Sequence, residues 1–127
     1  MNPVVIVHLI AAVLAIAAAV PLIRRKVKMN DWYGVRIPAS FASEDAWFDI
    51  NHYGGRLLLF WGLTIAGTAT VGAFLEKKEW ITYNWVALVV IVGGLAVVIA
   101  KIYGYARARK GANRPPGAIP PSSSGAD

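Results

Sequence analysis

Three long stretches of the chain carry no charged residue. They run from Val4 to Ile23, from Leu57 to Leu75 and from Ile81 to Ala100. Each has 19 or 20 residues, and about 20 helical residues at roughly 1.5 Å apiece cross the hydrocarbon core of a bilayer. None alternates apolar and polar positions as a half-buried strand would. Backbone in lipid must satisfy its own hydrogen bonds, which leaves helix as the practical solution. The pattern predicts an all-α integral membrane protein with three transmembrane helices at about 4–23, 57–75 and 81–100. The Ala17-Ala18-Ala19 run looks like a signal-peptidase site. However, the basic residues Arg24, Arg25, Lys26 and Lys28 follow the first apolar stretch and none precedes it, the reverse of a signal peptide. A retained first helix is expected.

The polar segment 24–56 is long for a connection in a chain of 127 residues, and connections of that length usually carry structure or function. Asn30, Asp31 and Gly34 favour a turn, and Pro38 biases Ile37 toward an extended backbone. Ser43 is placed to cap a short helix from about Glu44 to Tyr53, with Glu44 and Asp45 complementing its dipole. Trp47, Ile50 and Gly54 share one face of it, with Asn51 adjoining. Gly54-Gly55 either ends this helix or gives a close-packed bend into the second span. The helix is expected to lie at the membrane interface. One reading gives it no ligand. The other makes Asn30, Tyr33, Arg36, Trp47 and Asn51 a binding surface. The domain is expected to cover 1–110. Residues 111–127, with four Pro, three Gly and three Ser, are expected to be a disordered tail.

Composition agrees with the membrane assignment and adds an orientation. Apolar residues make up 57% of the chain and charged residues 16%, against roughly 25% charged in soluble domains. Of 13 Lys and Arg, six lie in 24–56, five from Lys101 onward and two in the short connection Glu76–Glu79. The positive-inside rule then places the long loop and the C-terminus in the cytoplasm, with the N-terminus outside. Trp80, Tyr83 and Trp85 would form an outer aromatic belt, and Tyr103 and Tyr105 an inner one. The net charge of +6 is explained by these membrane-flanking clusters, so no nucleic-acid partner is invoked. The lipid bilayer is the expected partner of these basic clusters.

Small residues predict how the helices meet. Ala11, Ala15 and Ala19 form one face of the first span. Gly62, Ala66 and Thr70, and separately Thr64, Thr68 and Gly72, form two faces of the second. Ala96, Ala100 and Gly104 form one of the third. A three-helix bundle with a central second helix follows, and one of these faces would also serve a homo-oligomer. His8 is the one ionisable side chain inside an apolar stretch and reads as a neutral interfacial histidine.

Catalysis finds little support. Glu44, Asp45, Asp49 and His52 could be imagined as an acid site, but Glu44 and Asp45 point to different sides of a helix. Asp49 and His52 alone are too few ligands for zinc. With no cysteine, thiolate chemistry is excluded. The expectation is a protein that is not an enzyme, with no metal and no cofactor.

The loop also carries a composite motif: Asn30, Tyr33-Gly34-Val35-Arg36, Pro38, Ser43-Glu44, Trp47, Asn51 and Gly54-Gly55-Arg56. In this it resembles the SdpI-like family, that of the sporulation-delay toxin immunity proteins, in a short three-span form. The resemblance covers about Pro21–Leu63. It implies a bacterial inner-membrane protein acting in toxin immunity or membrane signalling, with a secreted peptide toxin and a cytoplasmic regulator as partners. The implied partner-binding residues are Asn30, Tyr33, Gly34, Arg36, Pro38, Trp47, Asn51 and Gly55. The alternative is a small accessory subunit of a larger membrane complex.

Overall fold

The computed structural model describes residues 2–112. It contains α1 (Pro3–Ile23), α2 (Glu44–Ala73) and α3 (Trp80–Ala112), with single 3₁₀ turns at Ser40–Ala42 and Lys77–Glu79. All three helices are long and apolar enough to cross a membrane. Of the expected tail, Gly111 and Ala112 close α3, and 113–127 lie outside the described residues.

α1 begins where Asn2 caps it, its Oδ1 accepting from Val4 N–H at 3.0 Å with Pro3 at the first helical position. Its buried residues are Val5, His8, Ala12, Ala15, Ala19 and Leu22. These steps of three and four make a heptad seam. α2 answers with buried Asn51, Gly55, Gly62, Ile65, Ala69 and Gly72 in the same register. A Cβ on Gly62 would lie 2.9 Å from Ile16 and 3.2 Å from Ala15 Cβ, so glycine is what lets the two backbones approach here. α1 ends in a Schellman motif. Lys26 N–H donates to Pro21 O and Arg25 N–H to Leu22 O, both at 3.1 Å. The left-handed residue of this motif is Arg25, at φ 54°.

α2 is the central helix, and it is continuous. The expected interfacial helix and second span are one 30-residue element. Gly54-Gly55 neither ends nor caps a helix. A Cβ on Gly55 would lie 2.9 Å from Leu22 Cβ and 3.1 Å from Ile23 N, so α1's last turn presses directly on it. The expected cap is present, with Ser43 Oγ accepting from Ala46 N–H at 3.0 Å.

α3 meets α1 at one end of the bundle only. There Val5, Ala69, Tyr83 and Ala87 form a cluster from all three helices. Asn2 Nδ2 donates to Asn84 Oδ1 at 2.9 Å. His8, expected at the interface, is buried: Nδ1 lies 2.8 Å from Val4 O and Nε2 3.3 Å from Ala87 O. Tyr83 is likewise buried rather than part of an exposed belt. In mid-span α3 leans on α2 through Trp61, whose Nε1–H donates to Val90 O at 3.0 Å.

The expected small-residue faces hold in part. Ala15, Ala19, Gly62 and Gly72 are buried, whereas Ala96, Ala100 and Gly104 are exposed. Thr64, Thr68 and Thr70 donate to their own helix's carbonyls at 2.9 Å and supply no interhelical contact of this kind. At mid-span the large Trp61 fills the α2–α3 contact, seated where a Cβ on Gly94 would collide with it.

Candidate functional site

The basic end of the bundle collects the C-terminal end of α1, the loop 24–43, the first turns of α2 and the last turns of α3. Three side-chain anchors fold the loop onto the helices. Trp47 has no exposed surface, and its Nε1–H donates to Val27 O at 2.8 Å. Asn51, 2% exposed, donates through Nδ2 to Trp47 O at 3.0 Å and accepts from Val35 N–H at 2.6 Å. Tyr33 sends its hydroxyl back along α1 to donate to Ala18 O.

Between these anchors the loop turns tightly. Asn30 Oδ1 accepts from Trp32 N–H at 3.0 Å and Tyr33 N–H at 2.7 Å, an Asx turn. Gly34 adopts φ +108°, and a Cβ there would strike the Asn51 side-chain oxygen. Glycine is thus required twice over, by conformation and by space. Beyond it, Ile37 packs with Ile50, Ile102 and Ala106. Ser40 Oγ donates to Ile37 O at 2.8 Å and accepts from Ile37 N–H at 3.2 Å.

The eight motif residues therefore separate by exposure. Trp47, Asn51 and Gly55 are buried, and Gly34 and Tyr33 are half-buried against neighbours. Asn30 is committed to the turn. Arg36 and Pro38 are exposed, Arg36 donating to Asp31 O. Outside the expected set, Trp32 stands 80% exposed beside Tyr33.

A charge cluster that the sequence reading missed ties the end together. Asp49 on α2 pairs with Arg25, at α1's exit, at 2.9 Å and with Arg109 on α3 at 3.1 Å. Partial burial disfavours the carboxylate, but the hydrogen bonds and charges of Arg25 and Arg109 outweigh it and hold Asp49 below the usual aspartate range. Tyr53 and Tyr105 stack beside it, ring centres 4.2 Å apart. The available signal was an acid beyond the first helical turn, in a segment with arginines toward both ends. Nothing in the spacing pointed to Arg109, which lies 60 residues away.

Asp49 and His52, once imagined as metal ligands, are engaged separately. His52 Nδ1 faces Ile23 O at 2.7 Å. Among the described residues no group of three His, Cys, Asp or Glu could hold a metal ion. The arrangement braces the loop against the helices.

Comparison with curated proteins and with solved structures gave no match. The family model described as the SdpI/YfhL protein family matches residues 26–104, which takes in the braced loop, all of α2 and most of α3. With more than half of its length matched, the chain belongs to the SdpI/YfhL protein family.

Proposed function

We propose that this multi-pass membrane protein acts in toxin immunity or membrane signalling, by binding rather than by catalysis. The basic end is the cytoplasmic one. The observation that carries this reading is the division of labour within the motif. Trp47, Asn51, Gly34 and Gly55 hold the loop rigidly against α1 and α2, and that rigidity presents Trp32, Arg36 and Pro38 outward. A preorganised loop loses little entropy on binding, which favours a specific partner. The unequal split of Lys and Arg between the two ends supports the orientation.

Mild cross-linking in native membranes, followed by pull-down, tests this by comparing wild type with Arg36→Ala. Recovery of a soluble regulator or a secreted peptide with wild type alone supports the proposal. A second reading, an accessory subunit or homo-oligomer, is favoured by the exposed face Ala96, Ala100 and Gly104 on α3. Recovery of one large membrane complex with both proteins would establish that reading and reduce the loop to a structural part.

A further inference from the structure

Two grooves run down the lipid-facing side of α2 from the basic end. One, of about 420 Å³, lies toward α1 and is bounded by Ile23, His52, Arg56, Leu59 and Phe60. The other, of about 290 Å³, lies toward α3, with Phe60, Trp61, Gly94, Val98 and Lys101 among its walls. Phe60 belongs to both and is 65% exposed, so it stands as the ridge between them.

Each groove is lined by a cation, Arg56 one turn beyond His52 in the first and Lys101 at the basic end of the second. Arg56 is the last charge before the uncharged stretch of α2, and Lys101 the first after that of α3. Both are exposed, and among the described residues neither takes part in an ion pair. Arg25 and Arg109, by contrast, are held by Asp49. Around and below the two cations the grooves offer almost no unmet polar demand. The Trp61 indole N–H is taken by Val90 O, the Thr64 hydroxyl by Phe60 O, and His52 Nδ1 faces Ile23 O.

Paired apolar channels with a positive charge lining each match one class of molecule, an anionic diacyl phospholipid. We propose that this face of α2 seats such a lipid from the leaflet at the basic end. One acyl chain lies on each side of Phe60, and the headgroup phosphate lies between Arg56 and Lys101. The guanidinium supplies paired donors to phosphate oxygens and the ammonium a point charge. Cations at this depth are placed to meet headgroups. The seat is independent of the partner surface at Trp32 and Arg36, and of which side of the membrane the basic end faces.

Lipid retention measured by native mass spectrometry tests the seat. The purified full chain is stripped in detergent and titrated with phosphatidylglycerol, with phosphatidylcholine and with single-chain lysophosphatidylglycerol. Phosphatidylglycerol is expected to be retained in preference to both others. Arg56→Gln with Lys101→Gln should weaken its retention roughly thirty-fold, since each basic residue near a surface contributes about a five- to sixfold factor. Arg107→Gln with Lys110→Gln removes the same charge from the same end and should leave retention within about threefold. Equal loss in both double variants would mean diffuse attraction and would overturn the seat. So would equal retention of phosphatidylcholine, or of the single-chain lipid. Both substituted pairs are exposed, so the fold is preserved in either variant.

Discussion

Asn51 and Arg36 belong to the same motif but have different physical roles. Asn51→Ala leaves Val35 N–H and Trp47 O without their side-chain partner in a buried site. An unsatisfied buried group costs about 1–3 kcal/mol. Arg36 is exposed and gives up one hydrogen bond to a loop carbonyl, so Arg36→Ala should cost no more than about 0.5 kcal/mol. Thermal unfolding in a single detergent checks both. Asn51→Ala should melt well below wild type and Arg36→Ala beside it, while partner recovery is lost in Arg36→Ala. A large destabilisation by Arg36→Ala would place that side chain in the fold rather than on the partner surface. The identities of these residues were legible in the sequence, but their roles were not. Trp47 read as an aromatic on a helical face. Its indole partner is the carbonyl of Val27, and a backbone group leaves no mark in the sequence to betray such a contact.

At the scale of elements, the exit of α1 and its tether to α2 and α3 make two opposed demands on Arg25. Its left-handed backbone costs about 1–2 kcal/mol in a residue with a Cβ. Its half-exposed ion pair with Asp49 returns roughly 0.2–1 kcal/mol. Arg25→Gly therefore removes the strain along with the pair, while Arg25→Ala removes only the pair. The glycine variant should be the more stable of the two by about 1 kcal/mol, read from denaturant or thermal unfolding. Equal stability would mean that the backbone at this exit relaxes freely.

The same tether gives a pH signature. Asp49 is held below its ordinary value, so its contribution is fully present above about pH 3.9 and is lost as pH falls through the lower folded value. Asp49→Asn should be less stable than wild type at neutral pH, and the gap should close on acidification. A gap that is constant from pH 7 to pH 3 would remove the ion pair from the account. The continuity of α2 belongs to this scale too. A Gly-Gly pair is the ordinary sign of a helix end, and here tertiary packing overrides it: Leu22 and Ile23 on one side and Val35 and Ile102 on the other occupy the space that side chains would need. Local sequence offers close packing as one reading of such a pair but cannot name the neighbours, because the crowding residues come from three other places in the chain.

For the whole molecule, the most legible feature was the number of spans, since a bilayer imposes both length and absence of charge on any helix that crosses it. Which faces would meet was less legible. The seam between α1 and α2 follows small residues, as expected in lipid, but α3 is held at its two ends and by Trp61 between them, which leaves Ala96, Ala100 and Gly104 exposed. Orientation rests on charge alone, and the absence of cysteine makes it directly measurable. Ala42→Cys places a thiol at an exposed site on the basic end without removing the Ser43 cap. Lys78→Cys places one in the opposite connection at the expense of an exposed ion pair with Glu76, a loss of at most about 1 kcal/mol. An impermeant maleimide added to intact cells should label position 78 and leave position 42 until the membrane is opened. The reverse pattern would put Trp32 and Arg36 outside the cell, where a secreted peptide could reach them directly and a cytoplasmic regulator could not. Labelling at both sites in intact cells would mean two orientations in the population, at odds with ten of the twelve basic residues among those described lying at one end.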